Sequence, residues 1–154
     1  MTAVKKSNYQ KVEEMLDKDA AVNYKDSKKL VALAYALEND DRKMFRLLLS
    51  SGANSKVEIL NKSSLLIYYV TLKKYLMIED LLKSGIDPNF QDRLGMTALM
   101  HSIEKSNVNA VNILIKQDFD KEVTDFSGKT IFDYAALSRN LLIKKMIQSL
   151  NSRN

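Results

Sequence analysis

The four glycines of this 154-residue chain obey one interval. Gly52 and Gly85 lie 33 residues apart, and so do Gly95 and Gly128. Glycine is placed where a backbone needs positive φ or close approach, so two distinct turns are rebuilt at a fixed spacing. A period of a few tens of residues marks stacked repeats, and it constrains the fold more than any local propensity does. The neighbouring residues repeat with it. DRLGMTALMHS from Asp92 and DFSGKTIFDYA from Asp125 carry Asp, Gly and Thr in the same frame.

Between the turns the pattern is helical. VALAYALEND from Val31 is short and apolar. DRKMFRLLLSSGA from Asp41 follows, with Met44, Phe45, Leu47, Leu48 and Leu49 spaced as a half-buried helix. The unit then recurs as LLIYYVTLKK with MIEDLLKSGID, as TALMHSIEKS with VNAVNILIKQDFD, and as TIFDYAALSRN with LLIKKMIQSL. Each reads as helix, tight turn, helix and a loop of about ten residues, the kind of unit that buries its apolar face only by stacking on a neighbour.

These residues resemble the ankyrin repeat family, whose motif runs roughly D-x-x-G-x-T-P-L-H-x-A-A and closes its second helix on L-L-x-x-G-A-D-V-N. Asp92, Gly95, Thr97 and Leu99 match the opening, as do Asp125, Gly128 and Thr130. LLLSSGANS, DLLKSGIDPN and ILIKQDFDKE match the closing, and KVEEMLDKDAAVNYKD from Lys11 reads as the end of an earlier unit. The resemblance implies an all-α fold, a short ankyrin solenoid of about five helix-turn-helix units with hairpin-like loops. It divides residues 1–154 into repeats at 1–25, 26–58, 59–91, 92–124 and 125–154.

The chain departs from the motif in places. The family proline is Ala98 and Ile131, and the family histidine is Ala34, Ile67, Met100 and Asp133, which removes the bonds that histidine supplies between loops. Asp19 and Asp118 replace the glycine that closes the second helix. Aspartate tolerates left-handed backbone better than most residues, so both turns are expected to survive. The first unit begins inside its first helix, at Thr2–Lys6, as a degenerate cap or a trimmed piece. The last, KKMIQSLNSRN, reads as a polar C-terminal cap. Leu47/Leu48, Leu81/Leu82 and Ile113/Leu114 are expected between neighbouring repeats. Met15, Met44, Met77, Met100 and Met146 read as core filler rather than an adaptable surface.

Composition narrows the function. Cysteine is absent, which removes disulfides, thiolate metal sites and a cysteine nucleophile. His101 is the only histidine, and no phosphate-cradling loop, dinucleotide fingerprint, serine elbow or metal-spaced cluster is present. The chain therefore reads as non-catalytic, with no cofactor and no metal. The net charge of +5 is spread among interspersed Lys and Glu without a like-charge run, the pattern of a solvated surface. LLIYYVTL, from Leu65 to Leu72, is too short to span a bilayer. MTAVKKSNYQ has no apolar leader core. The default expectation is a cytoplasmic monomer with no membrane contact, or a periplasmic or secreted protein if a leader precedes Met1. The Asn61 triplet NKS matters only in the secreted case.

One phase of the repeat holds Tyr35, Tyr68, His101 and Tyr134. The resemblance places this position on the concave groove, where tyrosine is a favoured interface anchor. The other reading is that these rings pack over the first helices. One turn on come Glu38, Thr71, Glu104 and Leu137, two of them acidic, which weakens a nucleic-acid reading because phosphates want Lys and Arg. The loop tips carry Lys28, Lys29, Leu60, Asn61, Arg93, Leu94, Phe126 and Ser127, and an exposed Leu94 and Phe126 suggest a contact. The expected function is binding of another protein through groove and tips. Its alternative is an inhibitor or self-protection protein that clamps a partner enzyme. Nucleic acid is the weaker class.

Overall fold

A computed structural model describes residues 1–151. Among them the chain forms α1 (Thr2–Lys5), α2 (Tyr9–Leu16), α3 (Ala32–Glu38), α4 (Arg42–Ser50), α5 (Leu65–Thr71), α6 (Ile78–Lys83), α7 (Ala98–Glu104), α8 (Val108–Leu114), α9 (Ile131–Leu137) and α10 (Leu141–Gln148). The helices pair in chain order, α1 with α2 through α9 with α10. The odd-numbered helices also stack in a row from α1 to α9, and α8 packs on both α6 and α10. This is the all-α repeat array that the sequence predicts.

None of these helices is long enough to persist alone in water, where about 12–15 residues are needed. Packing must hold them. Leu48, Leu81, Leu114 and Ile147 stand one period apart and are all buried, while Leu47, Leu82 and Ile113 are half-buried. Met44, Met77 and Met100 are buried as filler, but Met15 is exposed. Ala34, Ile67 and Met100 at the histidine position are fully buried. Asp133 keeps a local bond there: its carboxylate accepts the Thr130 backbone N–H at 2.8 Å and closes a capping box. Side-chain bonds between loops come from Asn23 and Asn89, each bridging to the next loop, and from Gln91, whose amide donates to the Gly95 and Thr124 carbonyls.

Left-handed backbone recurs in three series. Asp19, Gly52 and Gly85 close second helices; Lys29, Lys62, Gly95 and Gly128 lie in the loop tips; Ser7, Asp40, Lys73 and Ser106 turn the chain between the helices of a pair. The last series contains no glycine, so glycine spacing could not reveal it. The fourth pair breaks the first series. Asp118 does not take up the left-handed conformation expected of it, and the chain closes instead through a Phe119 N–H bond to the Gln117 carbonyl at 3.0 Å. Gly95 is required twice over. Its φ is +77°, and a Cβ there would meet the Phe126 backbone nitrogen at 2.7 Å.

Caps follow the same period. Asn8, Asp41, Asn107 and Asn140 accept backbone N–H groups at the starts of α2, α4, α8 and α10. Lys74 occupies this position in the third pair and cannot accept. There the Tyr69 hydroxyl of α5 accepts the Met77 N–H at 3.1 Å and donates to Asp40 of the preceding pair at 2.6 Å, so the first helix of the same pair supplies the cap. The last pair is less polar than a cap should be, since Leu137, Leu141 and Leu142 are exposed.

Leu81 is fully buried at the centre of the stack. Leu81→Ala should cost about 2–5 kcal/mol, and Leu82→Ala clearly less, as read by urea denaturation followed by circular dichroism. Equal losses would mean that the buried series does not carry the stacking.

Candidate protein-binding groove

Each of the last four pairs is introduced by a loop that starts, in three cases, with aspartate. One oxygen of that carboxylate shapes the loop. In Asp92, Oδ1 accepts the N–H groups of Leu94 and Met96 at 2.8 and 3.1 Å, and Asp26 and Asp125 do the same two and four residues on. The second oxygen accepts from the ring nine residues later: Tyr35 on Asp26, His101 Nε2 on Asp92 at 2.8 Å, and Tyr134 on Asp125 at 2.7 Å. The ladder thus pins loops to helices. Tyr35 is 3% exposed and His101 8%, so these two offer a partner little area. Tyr68 and Tyr134 are half-buried. Lys5 covers the Tyr35 ring, with Nζ 4.0 Å from its centre.

The third pair is the exception. Ile59 stands where the others have aspartate, and it is buried. Its loop closes through the Ile59 N–H to Ser63 carbonyl bond at 2.9 Å and two left-handed residues, Asn61 and Lys62. With no carboxylate at the aspartate position, the Tyr68 hydroxyl donates to Glu38 of the preceding pair. Between this loop and the next lies a cavity of about 250 Å³, lined by Leu60, Ile67, Tyr68, Thr71, Arg93, Leu94 and His101 among others. A second, of about 440 Å³, is lined by Glu104, Lys129, Tyr134, Leu137 and Arg139 among others. Both are bounded by odd-numbered helices on one side and loop tips on the other, which defines a groove. Glu38 and Thr71 are half-buried in it, while Glu104 and the 70%-exposed Leu137 face solvent.

Along the tips, Leu94 is 57% and Phe126 76% exposed. The tips are tied to one another by backbone bonds, Arg93 N–H to the Asn61 carbonyl at 3.2 Å and Phe126 N–H to the Leu94 carbonyl at 3.0 Å. Lys28, Lys29, Lys62, Arg93 and Lys129 are all exposed on these tips. Sequence reading treated the positive charge as dispersed; folding gathers these residues on one edge. The ladder carboxylates were also missed, although their nine-residue spacing from each ring is visible in the sequence.

The carboxylate pairs leave a titration record. Burial, then the hydrogen bond to Asp26, pushes the Tyr35 hydroxyl up to about 12. Burial and Asp125 likewise raise Tyr134. Burial alone would raise Asp125, but hydrogen bonds from Tyr134, Lys129 and Ser127 outweigh it and hold the carboxyl well below its usual range. The hydrogen bond from Tyr35 is the main cause holding Asp26 down. A raised tyrosine contributes its full stabilisation below about pH 10 and loses it as pH rises through the folded value. A depressed aspartate contributes above about pH 4 and loses it as pH falls. Chemical denaturation should therefore give stability that declines toward pH 3 and toward pH 12. Tyr35→Phe/Tyr134→Phe should flatten both flanks. Unchanged flanks in that variant would contradict the pairing.

Among the described residues, no group of three or more His, Asp or Glu side chains could hold a metal ion, and no helix is long and apolar enough to cross a membrane. A family model for ankyrin repeats in three copies matches residues 66–153. The chain is 25% identical over 92% of its length to a protein of Acanthamoeba polyphaga mimivirus that carries an ankyrin-repeat name, covering 19% of that protein. It is 32% identical over 80% of its length to a similarly named protein of Fowlpox virus, covering 29% of it. It thus spans less than a third of the length of these relatives. Ankyrin repeats are in general protein-interaction modules rather than catalysts, and with the period, the helix pairs and the family match in agreement, this chain belongs to the ankyrin repeat family.

Proposed function

We propose that this chain is a non-catalytic module that binds another protein along the groove between its odd-numbered helices and its loop tips. The observation that carries this reading is the set of apolar side chains left exposed there. Leu94 lines one groove cavity and Leu137 the other, and Phe126 stands beside Leu94 on the tips. Exposed apolar side chains gathered on one face mark contact sites. Tyr68, Tyr134, Thr71, Glu38, Glu104 and Arg93 form the polar surround, while the buried Tyr35 and His101 hold the surface in shape. A partner bound this way meets apolar anchors with only a few charges beside them, so its affinity should fall less steeply with salt than phosphate-backbone binding does.

The test is recovery of partners from the native cell by the tagged chain, identified by mass spectrometry. The comparison is Leu94→Asp/Phe126→Asp/Leu137→Asp, whose positions are exposed, so circular dichroism should show an unchanged fold. A protein recovered at least tenfold better by the wild type is expected. If that protein is an enzyme, its activity with and without the chain reads out the clamp-like inhibitor. Equal recovery of the same protein by both would place its binding site elsewhere.

A further inference from the structure

We infer that the cavity between the third and fourth loop tips is an anchor pocket for one aliphatic side chain of an acidic, extended peptide segment, with a peptide N–H donating to His101 Nδ1. This rests on the groove reading above and names the chemistry of its partner.

The first observation is His101. Its Nε2 is engaged by Asp92 at 2.8 Å, but Nδ1 is buried without a hydrogen-bond partner. The nearest carboxylate, on Glu104, is 4.0 Å away, beyond hydrogen-bond reach. With Nε2–H donating to Asp92, the neutral ring presents Nδ1 as an acceptor. A buried acceptor left empty is costly, and this one belongs to a residue that lines the cavity. Tyrosine stands at the three equivalent positions, so the histidine is what introduces a free acceptor here.

The second observation is size and lining. About 250 Å³ falls below the roughly 300–1,000 Å³ of small-molecule sites, but it admits a single side chain. Leu60, Ile67 and Leu94 supply apolar walls. The third is charge. Asp92 is saturated by its ring and loop donors, and Glu104 pairs with Lys105 at 3.1 Å. Glu38 accepts from Tyr68. The Arg93 guanidinium, at the mouth, has no partner among the described residues, and Lys62 stands exposed on the adjoining tip. The charges exposed at the mouth without a partner among the described residues are these two cations, so the flanks of the segment should be acidic. A single-stranded nucleic acid fits less well. Its bases need exposed aromatic faces, whereas Tyr35 and His101 are buried.

The experiment is fluorescence anisotropy of the full chain against fluorescein-labelled peptides GDEXDEG, with X as Leu, Ile, Val, Ser or Lys, and against a labelled twelve-residue oligothymidylate. Saturable binding of the Leu, Ile or Val peptide is expected, at least tenfold tighter than of the Ser or Lys peptide. His101→Tyr restores the residue of the other repeats and can still donate to Asp92, so melting should be unchanged while binding weakens at least tenfold. Thr71→Trp fills the cavity from its half-buried wall and should do the same. Arg93→Glu should also cost at least tenfold. No saturable binding of any aliphatic peptide at millimolar chain, full binding by a folded His101→Tyr or Thr71→Trp, or tighter binding of the oligonucleotide would each overturn the inference. If His101→Tyr recovers the cellular partner while the triple aspartate variant does not, the pocket falls and the groove stands.

Discussion

A carboxylate at the start of a loop and an aromatic ring nine residues later form the bond on which this array is organised. One aspartate oxygen takes two backbone N–H groups and fixes the loop; the other takes a proton donor from the first helix and fixes the loop to that helix. Helices this short have no independent stability, and their loops, which lie on the surface, have little apolar area to bury. A charge-assisted hydrogen bond, stronger than one between neutral groups, is therefore well suited to set the angle between loop and helix. Repeated at Asp26, Asp92 and Asp125, it aligns the tips along one edge. The tips then bond to each other through Asn61, Arg93, Leu94 and Phe126.

The exception is as informative as the rule. Ile59 removes the carboxylate, Tyr68 turns to Glu38, and a cavity lies between that loop and the next. His101 borders the same cavity from the other side and is smaller than the tyrosine found elsewhere in its series. Two departures from the repeat thus meet at one place in the groove. In a repeat array neighbours interact only with neighbours, so such local departures can be accommodated without disturbing the stack.

The architecture was legible because the backbone needs that recur were answered with glycine at two of three turns, and because the apolar period of Leu48, Leu81 and Leu114 is unbroken. The third turn was invisible because Ser7, Asp40, Lys73 and Ser106 have no single residue type in common, only a conformation. Asp118 looked like Asp19 but closes its helix differently, since residue type permits a left-handed turn without requiring it. The groove was legible in position and not in role. Tyr35 and His101 were candidates for contact from their phase alone, and burial depends on the aspartate partners that phase does not reveal. The tertiary cap of α6 by Tyr69 leaves no local signal at all, because donor and acceptor lie on different elements.

A double-mutant cycle on Asp125→Ala and Tyr134→Phe, measured by urea denaturation at pH 7, tests the central bond most directly. Hydrogen bonds to charged groups contribute about 1.5–3 kcal/mol, so the two losses should couple by an amount in that range rather than add. Strict additivity, with each substitution costing the same whether or not the other is present, would show that the loop is held by its own turn and the ring by packing alone.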